Sequence, residues 1–288
     1  MSKPGILKKS AANPIAHFLR SSAVTRPNSA SGSIQPDFRK VPLGLPGILV
    51  VAVAGLAPFP FPNDEAGNLT RPVPWMSGER LQYTVSWANF VAAGEVTLEC
   101  QEVSEPGKAR LYRFGVKARS VDWVRTLFLN VNDFYEAQVD QGTLLPLQAQ
   151  ARLEHGNKLE KNSILFDHQN RIARLSSGQT QPLALNTYDA ASLMFILRTL
   201  ELGSGKTQVL RLLHKETVYT LRAEDERTES VRVGQKDYQV NRVAIKQLEN
   251  GIAQDTLRIR LYLTSDSRRL PVLMTAEPAW GTIRVELS

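Results

Sequence analysis

The chain has 288 residues, 42% hydrophobic and 22% charged, a globular balance with room for one large domain and a tail. Its formal net charge of +7 at pH 7 would suit a nucleic acid or an anionic membrane if it were spread over the folded part. It is not: residues 1–75 hold eight basic and three acidic side chains, which leaves 27 basic against 25 acidic groups for the rest and removes the case for nucleic-acid binding.

Residues 1–40 are rich in Ser, Ala, Pro and Asn without a sustained apolar period. Such a segment cannot offset its ordering entropy and is read as a disordered basic tail. Arg39 and Lys40 then precede an apolar run over residues 41–57 that contains Pro42 and Pro46, with Ala52-Val53-Ala54 near its end. A positive flank, a short apolar core and an A-x-A site describe a secretory signal. The rival reading is an uncleaved anchor over residues 41–60, against which the prolines and a length below the roughly 20 residues of a membrane span both argue. Residues 58–77 read as an extended Pro-rich linker.

From Gly78 onward the pattern becomes one of alternation with period two, the mark of half-buried strands. Leu81, Tyr83, Val85 and Trp87 share one face, as do Tyr112, Phe114 and Val116. So do Leu147, Ala149, Ala151 and Leu153, then Tyr219, Leu221 and Ala223, then Leu257, Ile259, Leu261 and Leu263, and finally Ile283, Val285 and Leu287. In "EVTLECQ" the single cysteine, Cys100, falls on the apolar face with Val96 and Leu98; it reads as a buried thiol, and a lone cysteine allows no intrachain disulfide. With weaker runs included, the body over residues 78–288 predicts one all-β, mainly antiparallel domain of about ten to thirteen strands, arranged as a curved sheet, sandwich or barrel.

One segment breaks the rhythm. Leu193, Ile196, Leu197 and Leu200 recur at helical spacing, with Thr187 or Asp189 placed to cap the start and Gly203 to end it. A second short helix is expected over residues 120–129, where Trp123 could plug an open end of the β structure.

Few motifs suggest chemistry. "GSGKT" (203–207) lacks the glycine that a phosphate-binding loop needs at Leu200, and it follows a helix instead of preceding one. Glu154-His155 and Asp167-His168 lie on adjacent strands and could approach across a hairpin as a metal site, although the four histidines form no ligand pair in sequence. "AEDE" (223–226) reads as a solvated turn. No metal or cofactor is implied. Asp133 and Asp266 are the acids a hydrolase would use, but no catalytic constellation surrounds them, so the chain reads as a non-enzyme.

In "LTSDSRRLPVL" (263–273), Ser265, Asp266 and Ser267 are turn formers between two strands and Pro271 suits a strand start. Arg268 and Arg269 would point to opposite faces. The inward one is predicted to pair with Asp266 or with Asp189 near the helix start.

"GERLQYTVSWANFVAAGEVTLE" (78–99), "FYEAQVD" (134–140), "YDAASLMFILRTL" (188–200) and "LTSDSRRLPVLM" (263–274), in this order and spacing, resemble the bacterial exported proteins grouped as domain of unknown function 3108. The resemblance spans residues 78–288. It implies a β-rich secreted or envelope protein and brings no activity, cofactor or catalytic residue. Together these readings predict an exported, periplasmic or envelope protein that binds an apolar or amphipathic molecule such as a lipid or glycan. The alternative is an envelope assembly factor that works through protein contacts at a sheet edge.

Overall fold

The computed structural model describes residues 72–87, 91–104, 107, 109–122, 124, 130–278 and 281–288. Every described residue lies in one compact unit of the chain. The basic tail, the signal-like segment, the linker up to residue 71 and Trp123 lie outside the described residues.

Strands β1 (Arg80–Trp87), β2 (Val91–Val103), β3 (Leu111–Ser120), β4 (Asn132–Asp140), β5 (Pro146–His155) and β6 (Lys158–Asp167) form an antiparallel meander. The short strands β7 (Ile172–Leu175), β8 (Thr180–Pro182) and β9 (Thr187–Tyr188) follow, then helix α1 (Ala190–Ile196) and a 3-10 turn (Leu197–Thr199). A second meander completes the chain: β10 (Thr207–His214), β11 (Thr217–Val233), β12 (Lys236–Glu249), β13 (Ile252–Thr264), β14 (Pro271–Ala276) and β15 (Ile283–Leu287). β1 pairs with β15, from Tyr83 opposite Leu287 to Trp87 opposite Ile283, so the two meanders fuse into one sheet. Its edges are β8 and β9, neighbours in the chain that do not pair, and the sheet stays open there.

The described residues form fifteen strands, more than the expected ten to thirteen. β7, β8 and β9 are two to four residues long, too short for alternation to show. "AEDE" is not a turn, because β11 runs straight through it with a bulge between Asp225 and Arg227. A bulge also corrects Leu147: β4 and β5 lose register beside it, and its side chain turns outward while Ala149 and Leu153 stay buried.

Helix α1 begins as expected. The Asp189 carboxylate accepts from the amides of Ala191 and Ser192, and Ser192 Oγ accepts from the Asp189 amide, a capping box that satisfies free donors of the first turn. Thr187 instead belongs to β9. The helical segment closes at Leu200, short of Gly203. Almost every α1 side chain is buried, Met194 being half-buried. Phe195 stacks on Phe114 of β3 with centroids 4.1 Å apart, and Trp75 meets both rings edge-on at 5.8 and 5.2 Å. One core joins this cluster to Leu153, Phe166, Leu212, Leu221 and Leu261, from both meanders. The helix therefore fills the curl of the sheet. The cavity beside it, between Tyr135, Asn162, Asp189 and His214, is about 30 Å³, room for about one water.

Because Phe195 bridges the helix to β3 at the centre of this core, Phe195→Ala is expected to cost about 3–5 kcal/mol of unfolding free energy, measured by urea denaturation.

Candidate functional site

The 263–273 segment is a strand-to-strand corner joining β13 to β14. Asp266 Oδ1 accepts from Thr264 Oγ1 at 2.6 Å and from the Arg269 amide at 3.2 Å, which holds the turn. Neither arginine reaches the predicted acid with its side chain. Arg269 instead donates to the carbonyls of Arg198 and Leu200 at the end of the helical segment, where unpaired carbonyls collect and a cation is favoured. Arg268 lies 3.6 Å from Glu79. Asp189 is taken up by its own helix cap, where burial raises its carboxyl pKa against the hydrogen bonds from Ser192 and Ala191.

The group that gathers these motifs is Arg198, a residue that sequence reasoning did not single out. Its side chain is fully buried. The guanidinium bonds Glu79 at 2.5 and 3.2 Å, the Pro74 carbonyl, and the Arg268 carbonyl at 2.9 Å. Glu79 comes from the G-E-x-L-x-Y opening and Arg268 from the D-x-R-R-x-P corner, so a buried ion pair ties the start of the body, the helix and the corner together. Burial of a charge this deep requires a partner, and the apolar run around Arg198 was the available signal.

The other motifs separate. Antiparallel pairing places His155 opposite Lys158 at one end of the β5–β6 hairpin, whereas Asp167 and His168 lie at the other, where His168 bonds the Pro146 carbonyl at 2.7 Å. The two acid–histidine pairs therefore do not meet, and no group of three or more potential metal ligands occurs among the described residues. Asp133 is buried, with one oxygen 3.1 Å from the Glu154 amide and the other 3.0 Å from His155 Nε2. Burial raises its pKa, opposed by the bond to His155. In "GSGKT" the Gly203 amide donates to the Asp225 carboxylate at 2.7 Å, so the loop is held by the protein's own anion. The acids beside Asp225 join an ionic ladder across β11–β13: Glu224 pairs with Lys246, and Glu226 with both Arg242 and Arg260. Cys100 is fully buried, and desolvation pushes its thiol up to about 12.

Opposite the filled core, the outer face of β1–β5 carries a groove of about 400 Å³. Alternation brings Gln82, Thr97, Lys117, Phe134, Asn132 and Arg152 to its walls, each flanked along its strand by an inward-facing residue. Its cations sit in surface pairs: Lys117 with Glu99 at 3.1 Å, Arg119 with Glu95 at 2.6 Å, and Arg152 with Glu154. Their side chains are 54 to 69% exposed, so such pairs are worth about 0–1 kcal/mol and exchange readily for an outside ligand.

The fold and this face define a β-rich protein built on one long, open, mostly antiparallel sheet. The chain belongs to the family described as Protein of unknown function (DUF3108), whose model matches residues 82–288. No curated protein matches it. Among solved structures it is similar to a β-barrel-like protein of domain of unknown function DUF1849 from Brucella abortus, at 13% identity and a TM-score of 0.45 over 73% of this chain and 94% of that one. It is also similar to a DUF1089 family protein from Pseudomonas aeruginosa, at 15% identity and a TM-score of 0.36 over 60% of this chain and 87% of that one.

Two outcomes follow from the buried groups. Arg198→Met leaves Glu79 buried without its main partner and is expected to lower stability by about 3–5 kcal/mol, whereas the double variant Glu79→Gln/Arg198→Met regains much of that loss in urea titrations. Burial, then Lys215, push the His214 pKa from 6.5 down to about 4, against a weaker pull from Glu160. Between those values the unfolded chain binds the proton better, so stability is full above the upper one, falls as pH drops from the upper to the lower, and levels off below. The loss is at most about 3 kcal/mol, and His214→Gln should flatten that limb of the pH–stability curve.

Proposed function

We propose that this chain is an exported, non-enzymatic protein of the cell envelope that binds its ligand across the outer face of β1–β5 and not inside the curl of the sheet. The observation that carries this reading is the division of space. Helix α1 packs into the interior, and the cavity beside it among the described residues is about 30 Å³, whereas the outer groove offers about 400 Å³, within the range of about 300–1,000 Å³ typical of ligand sites. Of the apolar or amphipathic ligands expected from the sequence, this favours one with a polar part that hydrogen-bonds Gln82, Thr97 and Asn132, as a glycan or a lipid headgroup would. Export is supported by the signal-like run over residues 41–57. The non-enzymatic reading is supported by the acids: Asp133, Asp189 and Asp266 each bind the protein's own backbone.

A second reading, assembly with another envelope protein, is favoured by the open seam. β7 pairs only with residues 164–167 of β6 and Ser176 bonds Ser163, so residues 158–162 present, on the side away from β5, an edge with no strand partner among the described residues. Lys158 and Lys161 stand on that edge, and lysines are a common guard against strand addition, which makes this the weaker reading.

Mass spectrometry of molecules that copurify with the protein from its native host separates the two. Recovery of a polar small molecule or glycan that is lost in Lys117→Glu/Arg152→Glu is expected. A ligand retained undiminished by that variant would sink the groove, and an empty protein with a reproducible crosslinked partner would transfer the function to the seam.

A further inference from the structure

The groove has an internal order that its outline does not convey. Strand register places Gln82 opposite Thr97, Thr97 opposite Lys117, Lys117 opposite Phe134, Phe134 opposite Arg152, and Arg152 opposite Lys161. These six residues form one row of cross-strand neighbours, from β1 to β6, at a spacing of about 4.8 Å per strand. One step is about the length of a pyranose unit. The row changes character along its length: an amide and a hydroxyl at the β1 end, then a cation, an aromatic ring, and two further cations. Lys117 and Arg152 lie two strands apart with the Phe134 ring between them, so charges fall about two sugar lengths from one another and an apolar face lies between.

In the adjoining row Glu99 faces Gly115, and a side chain there would meet only Glu99 at 3.8 Å. The glycine therefore keeps a depression open beside Lys117. Lys117 Nζ sits 5.9 Å over the Phe134 ring, a weak contact at an exposed site, and its exposed pair with Glu99 is weak enough to be exchanged for an outside anion.

We infer that the row is a binding track for an acidic polysaccharide that runs across the strands, with its carboxylates on Lys117, Arg152 and Lys161 and a sugar face on Phe134. This rests on the reading of the outer groove as the ligand site and adds the class of ligand. A neutral glycan would offer these three cations no carboxylate. A lipid headgroup would engage one end of the row and leave the rest bare. Register, not sugar identity, sets the recognition, so a simple polyuronate should be bound.

The full-length protein is titrated with polygalacturonate, with neutral dextran and with phosphatidylglycerol vesicles, by calorimetry at low and at physiological salt. Binding to polygalacturonate is expected, weakened by salt as exposed charges are screened. It should fall at least tenfold in Lys117→Gln/Arg152→Gln at unchanged melting temperature, and stay unchanged in Lys236→Gln at the start of β12. Dextran bound as tightly as polygalacturonate, or vesicles alone bound, with either lost in the double variant, keeps the groove and overturns the acidic glycan. Polygalacturonate binding that the double variant leaves intact overturns the groove itself. No binding to polygalacturonate at low salt also overturns the track.

Discussion

The contact on which the remainder of the structure depends is the seating of one short helix in the curl of the sheet, fastened by a buried charge. Phe195 lies flat on Phe114, and Trp75 closes against both rings. Arg198, at the end of the same helical segment, pairs with Glu79 and binds the carbonyls of Pro74 and Arg268. An ion pair this buried adds little net stability compared with an apolar replacement, but loss of one partner is costly. Its effect is to require that three distant parts of the chain arrive together. Arg269 adds to that requirement by binding the carbonyls of Arg198 and Leu200.

With the helix in place, the two faces of the sheet have different uses. The inner face is spent on packing, and its buried polar groups serve the fold: Asp189 caps the helix, Asp133 holds the Glu154 amide, and Asp225 holds Gly203. The outer face divides along the sheet. Over β11–β13 the charges lock into a ladder around Glu226, a surface that is internally neutralised. Over β1–β5 the cations are more exposed and lie in register with Phe134 and uncharged hydrogen-bonding groups. A surface of the second kind is the one left available to a ligand.

Much of the architecture was legible in the chain. Alternation marked the inward faces of β1, β3, β11 and β13 correctly, because burial on one side of a pleated strand imposes that period. The helix start was legible as well, since its capping box is local. The bulges at Leu147 and Asp225 were not, because a bulge is a mismatch between two strands and appears in neither alone. The outer row was equally hidden. Its six members are contributed by six strands, and adjacent positions in the row are between 9 and 20 residues apart in the chain.

The sequence by itself determined the class of the fold, the family, the turn character of the corner and the charge-neutral body, all of which rest on period, composition or near neighbours. Tertiary structure alone decided that Arg268 and Arg269 serve Glu79 and the helix end instead of Asp266 or Asp189, that the interior is filled, and that a row of cations crosses the outer face. The physical reason is that each of these is set by strand register and by how far the sheet curls, and both are fixed only when segments far apart in the chain pack together.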